Sequence, residues 1–140
     1  MESTTKAQDP KGTTAIELAL LLPFMILLIF GMLEFSLLLY DRQVLTNASR
    51  EGARAGIVQT GDGGRVTLDS ITSVVADYCR HHMITFGTPN PPQTTAEWPD
   101  GTQFGDNLVV TVTYDYQFSV LSAFGFGPLR LEALTVMKLE

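Results

Sequence analysis

The chain has 140 residues, room for one modest domain plus a membrane segment but not for two domains. Nine Lys and Arg stand against fifteen Asp and Glu, a formal net charge of −6, and the basic residues are scattered. That excludes a nucleic-acid surface, which needs clustered Lys and Arg to meet phosphates. The single cysteine, Cys79, excludes an internal disulfide and any multi-cysteine metal site.

A polar leader, residues 1–12, ends in Lys11-Gly12-Thr13-Thr14-Ala15-Ile16-Glu17. An apolar run follows over residues 18–39, LALLLPFMILLIFGMLEFSLLL. As a helix this run spans roughly 33 Å, against a hydrocarbon core of about 30 Å. Its about fifteen Leu, Ile and Phe residues favour insertion by some −5 to −9 kcal/mol. The one ionisable group inside, Glu34, offsets only about 3 kcal/mol of that. Pro23 is expected in the first turns of the helix, where a missing backbone donor costs little. A cleavable secretory signal predicts a shorter core and a small-x-small site just after it. Here Tyr40, Asp41, Arg42 and Gln43 follow, and the first Ala-x-Ala, Ala53 to Ala55, lies well downstream. The run therefore reads as an anchor. Lys6 and Lys11 before it and Arg42, Arg50 and Arg54 after it leave the orientation open by charge counting.

Past the membrane, residues 40–57 continue the helix. Ala48, Gly52 and Gly56 recur every four residues, a small-residue stripe that admits another backbone. That backbone belongs either to another subunit or to the chain's own domain. The junction at Gly12, with Glu17 five residues beyond it, resembles the processing site of type IV pilin-like precursors. The continuation narrows the likeness: Glu17-Leu18-Ala19-Leu20, Leu22-Pro23, Phe30-Gly31-Met32-Leu33-Glu34-Phe35, and Leu45-Thr46-Asn47-Ala48-Ser49-Arg50-Glu51-Gly52-Ala53-Arg54. This series resembles the TadE-like family of tight-adherence pilus assembly proteins. The resemblance implies cleavage after Gly12 by a prepilin peptidase on the cytoplasmic side, so that Thr13 becomes the first residue. It implies other pilins or pilin-like subunits and the inner-membrane assembly platform as partners. Thr13 in place of a large apolar residue, and Leu18 in place of the Tyr of many major tight-adherence pilins, favour a minor pilin-like subunit.

The residues support the same junction physically. Gly12 lets a protease approach the backbone, and cleavage creates an ammonium on Thr13. Glu17 is costly to leave unpaired in a poorly hydrated helix bundle, and that ammonium would neutralise it. The alternative for Glu17 is a helix-end carboxylate favoured by the macrodipole. Glu34 has two readings: a contact with a polar partner in another helix, or a neutral or snorkelling side chain near the interface. At 100° per residue the two carboxylates lie on different helix faces.

Gly61-Asp62-Gly63-Gly64 reads as a turn. Residues 68–83 place Leu68, Ile71, Val74, Val75, Tyr78, Cys79 and His82 at helical spacing, with Thr67 as N-cap. Asp77, Cys79, His81 and His82 invite a metal, but one helix presents at most a few ligands together and no second cluster appears. Cys79 reads as a small core residue, and no metal or other cofactor is expected. Residues 87–106, rich in proline, read as a surface loop. Its Trp98 either tucks against the core or anchors a partner. Leu108, Val110, Val112, Tyr114, Tyr116 and Phe118 alternate with polar residues and predict a strand over 107–118. A looser alternation over 129–139 predicts its antiparallel partner. The apolar connection, with Leu121, Phe124 and Phe126, either caps the sheet or edges an interaction surface.

Together these features predict an α+β fold. A long transmembrane helix (residues 13–39) extends into a small head (40–140), in which one amphipathic helix packs on an antiparallel hairpin or small sheet. No nucleophile, base and acid are framed for catalysis, so a non-enzymatic role is expected. The resemblance implies a minor pilin-like subunit acting in pilus assembly, with its head in the periplasm. A membrane-anchored periplasmic binding module is the alternative.

Overall fold

A computed structural model describes residues 10–58, 67–85 and 90–140. The Gly61–Gly64 turn and most of the leader lie outside the described residues. Helix α1, Pro10–Ile57, runs unbroken for 48 residues. Because the helix starts at Pro10, Pro23 is not in the first turns but well inside. It removes the hydrogen bond to the Ala19 carbonyl, a defect of about 3 kcal/mol in a water-exposed helix. Transmembrane helices tolerate such a proline.

Helix α2, Leu68–His82, starts where predicted. Thr67 Oγ1 accepts the Ser70 N–H at 3.4 Å, the expected N-cap. Ile71, Val75 and Cys79, one turn apart, form its buried face. Arg80, His81 and His82 occupy the last turn, where positive charge suits the helix dipole.

Three antiparallel strands follow in the order β1–β2–β3: β1 Gln93–Glu97, β2 Asn107–Tyr116 and β3 Leu129–Lys138. In β2 the alternation predicted from sequence is realised: Leu108, Val110, Val112, Tyr114 and Tyr116 are all buried. β1 corrects the expected loop over 87–106. Its Gln-Thr-Thr-Ala-Glu run lacks hydrophobic alternation, and pairing with β2 makes it a strand, Gln93 opposite Thr113 and Glu97 opposite Val109. Pro91 and Pro92 precede it, as suits an edge strand.

The core forms where the distal half of α1 lies across β2 and β3, with α2 beside it against α1 and β1. The sheet is therefore covered mainly by the continuation of the long apolar helix rather than by α2. β2 runs antiparallel to α1: Leu108 meets α1 at Gly56, and Tyr116 meets it at Glu34. That direction decides which end of the head faces the membrane segment.

Candidate functional site

The buried side of α1 centres on one stripe, Glu34, Leu38, Asp41, Leu45, Ala48, Gly52 and Gly56, with Val44, Ser49 and Ala53 buried beside it. Steps of three and four residues keep these positions on one face. At its upper end the helix must approach its neighbours closely. A Cβ at Gly52 would lie 2.6 Å from Val75 Cγ2, and one at Gly56 2.6 Å from Leu108 Cδ2 and 2.8 Å from Ile71 Cδ1. Ala48 is fully buried. The Ala48, Gly52 and Gly56 stripe is thus not open to another subunit. Its neighbour is the chain's own head, the second of the two occupants left open by the sequence. Ser49, buried next to the stripe, sits 2.7 Å from Thr135 Oγ1 and ties α1 to β3.

Glu34 closes the lower end. It is 4% exposed. Its Oε1 accepts the backbone N–H groups of Ser119 and, at 3.2 Å, Val120; its Oε2 accepts that of Leu121 at 2.9 Å. The Tyr116 hydroxyl approaches the Glu34 carbonyl oxygen at 3.5 Å. These three N–H groups come just after β2 and lead into a short 3-10 helix, η1, Leu121–Phe124. β2 stops at Tyr116 rather than at the predicted residue 118, and these donors bond the carboxylate instead of a ladder. Glu34 therefore faces neither lipid nor another helix. A carboxylate accepting several backbone N–H groups has its charge compensated in place, and it fastens the exposed apolar part of α1 to the head.

Two turns further along stands Asp41, which the sequence did not single out. It is fully buried; Oδ1 accepts the Ile84 N–H at 3.0 Å, and Oδ2 has no partner among the described residues. Burial raises its carboxyl above the ordinary carboxylate value, opposed by the Ile84 hydrogen bond. Burial also pushes the Cys79 thiol up to about 11, with the Asp41 charge adding to it. A signal was present: Asp41 is seven residues from Glu34 and seven from Ala48, on the same 3-4 repeat. Extending the small-residue stripe backward through Leu45 would have found both acids.

Gly12, Thr13 and Glu17 lie at the other end of α1, all exposed. Nothing lies within 4 Å of a Cβ built on Gly12. About 26 Å of helix separates Glu17 from Glu34, so the structure does not bring these acids together. Glu17 also lies beyond the first turn of α1, which holds no acidic residue, and macrodipole stabilisation fades past that turn.

On α2, His81 and His82 turn Nδ1 toward the Asp77 and Tyr78 carbonyl oxygens, each at 2.8 Å. Cys79 is buried, whereas both histidines are exposed. Among the described residues no group of three or more His, Cys, Asp or Glu is placed to hold a metal ion. Trp98 packs against the core half-buried, its Nε1 enclosed without a partner.

Among the described residues, one helix is long and apolar enough to cross a membrane, and the 18-residue window that qualifies it is wholly unburied. No residue from Gly12 to Leu33 is buried. Comparison with known families matches residues 12–54 to TadE-like protein. No curated protein and no solved structure matches the chain. The matched stretch takes in Glu17, the whole exposed apolar run, Glu34, Asp41 and the stripe as far as Ala53, and leaves α2 and the sheet outside it. The family likeness carried by the sequence is borne out over those residues: the N-terminal helix is similar to the TadE-like family.

Proposed function

We propose that this chain is a minor pilin-like subunit of a tight-adherence pilus, processed after Gly12 and acting in pilus assembly at the inner membrane. The observation that carries the reading is a coincidence of boundaries. The TadE-like match covers a helix whose first half is unburied and, from Leu18, apolar on every face, and whose second half is built into a head. In this reading the membrane segment, expected from sequence over residues 13–39, lies in the bilayer as far as Leu33 and, on assembly, against the corresponding helices of other subunits. The head stands in the periplasm. A prepilin peptidase removes the leader, and the new Thr13 ammonium, from the same chain or a neighbour, pairs with Glu17. In a poorly hydrated bundle that pairing replaces the hydration both charges lose.

The test is the N-terminus of the membrane-extracted protein by mass spectrometry, together with surface piliation in a strain lacking the native copy. A mature chain starting at Thr13, and Gly12→Leu accumulating untrimmed, are expected. Glu17→Ala should insert and be trimmed but give no pili, and Glu17→Gln should fail likewise, since an amide carries no countercharge. An intact Met1 terminus in cells with active peptidase sinks the reading and favours a membrane-anchored binding module.

A further inference from the structure

We propose that the connection between β2 and β3, residues 117–128, rests in the headgroup–hydrocarbon boundary of the leaflet that α1 enters, so that the head stands on the bilayer. The proposal rests on α1 spanning the membrane. Twenty residue steps from Thr13 to Leu33 rise about 30 Å, the hydrocarbon thickness of a bilayer. Glu34 then lies at the edge of the hydrocarbon. Its carboxylate holds the N–H groups of Ser119, Val120 and Leu121, which fixes this connection at the same depth.

The composition of the segment fits that depth. From Tyr116 to Leu129 no Asp, Glu, Lys, Arg or His occurs, and the exchange with water resumes one register step above, at the Asp115–Arg130 ion pair of 2.9 Å. Phe124 and Phe126 are 60% and 57% exposed, and Leu129 is exposed beside them. Such side chains do not cap the sheet. Phe118 packs on the core, in edge contact with Tyr116 at 5.4 Å and with Phe126 at 6.3 Å between ring centroids, so the segment is braced rather than loose. At the same level on α1, Phe35, Leu39 and Tyr40 are exposed. Aromatic and aliphatic side chains around a helix at its point of exit match the belt found at membrane interfaces. The backbone of the segment need not be desolvated without partners there, because Glu34 accepts three of its donors.

The full chain in vesicles of phosphatidylethanolamine and phosphatidylglycerol tests this through tryptophan quenching by lipids brominated near the top of the acyl chains. The native Trp98 adjoins the end of β1 opposite Val109, toward the far end of the sheet from Glu34, and should keep its emission. Phe124→Trp and Phe126→Trp, each combined with Trp98→Phe, should lose most of theirs and shift to the blue. Should Trp98→Phe impair folding, Trp98 is retained and its unquenched emission subtracted. Leu28→Trp, quenched by lipids brominated deep in the chain, reports spanning independently. Quenching at Leu28→Trp with none at either Phe position overturns the proposal and leaves the spanning reading intact. Such a result assigns the aromatic pair to a neighbouring subunit or to water. No quenching at any of the three positions overturns both.

Discussion

The two halves of α1 are one continuous helix in two different surroundings. From Gly12 to Leu33 no side chain is buried; from Glu34 to Gly56 a stripe of seven positions is buried against the chain's own head. From Leu18 to Leu33 the first half is apolar on every face, as a helix surrounded by lipid or by other helices requires. The second half buries a narrow face, so its other faces carry Arg42, Gln43, Arg50, Glu51 and Arg54. Within that narrow face small residues replace large ones, because the neighbouring helix and strand come too close for more. The same residue type consequently means different things in each half. A glycine is spare room in one and a packing requirement in the other; a carboxylate is exposed at Glu17 and a structural clamp at Glu34.

Breaking the clamp should have the largest effect on the head. Glu34→Ala leaves three backbone donors without their acceptor, at about 1 kcal/mol or more each and so about 3 kcal/mol together. The urea midpoint for loss of near-ultraviolet circular dichroism, measured on the full chain in micelles, should fall. Glu34→Gln keeps one side-chain oxygen and should fall less. An unchanged midpoint for Glu34→Ala would show that the two halves are joined by the apolar stripe alone.

The glycines sharpen the comparison through opposite outcomes. Gly52→Ala places a methyl 2.6 Å from Val75 Cγ2, a short branched side chain with little room to yield. Overpacking of this kind costs about 1–3 kcal/mol, against a helix-propensity gain of about 1 kcal/mol. A net loss of up to about 2 kcal/mol on the same urea scale is expected from those two terms. Gly31→Ala, with nothing within 4 Å of its Cβ, should leave the head's midpoint where it was. Equal effects at both positions would contradict the contrast between the halves.

The smallest effect concerns Asp41. Its carboxyl is raised in the folded head above the ordinary value of 3.8. The folded state therefore binds the proton more tightly than the unfolded chain does. The resulting stabilisation is present on the acid side and is lost as pH rises from 3.8 through the folded value. Asp115, lowered by its bond to Arg130, acts in the opposite sense, its contribution being lost only as pH falls below the ordinary carboxylate value. Asp41→Asn keeps an oxygen for the Ile84 N–H and removes the titration. Its stability profile should flatten above pH 3.8 relative to the parent chain, without loss at neutral pH. A parent profile with no decline across that range would show that the Asp41 charge is compensated by groups other than Ile84.

Local chemistry was enough to determine much of this protein. A 22-residue run, apolar but for Glu34 and Ser36, specifies a membrane-length helix. Thr67 before Leu68 starts α2, because a threonine oxygen satisfies a free N–H wherever a helix begins. Strict alternation from Leu108 to Tyr116 specifies a strand with one buried face, since the period of two is a property of the backbone. Other features waited on tertiary structure. β1 carries no periodic signal of its own and exists because β2 offers it a ladder. The Ala48–Gly52–Gly56 stripe announced a close neighbour but not which one, since small residues admit any backbone equally. Glu34 announced a polar contact, yet its partners are backbone N–H groups as far as 87 residues away in sequence, and a backbone donor has no signature in the identity of the residue that bears it. Only the fold, by running β2 back down α1 toward the membrane, decided that the carboxylate would belong to the chain itself.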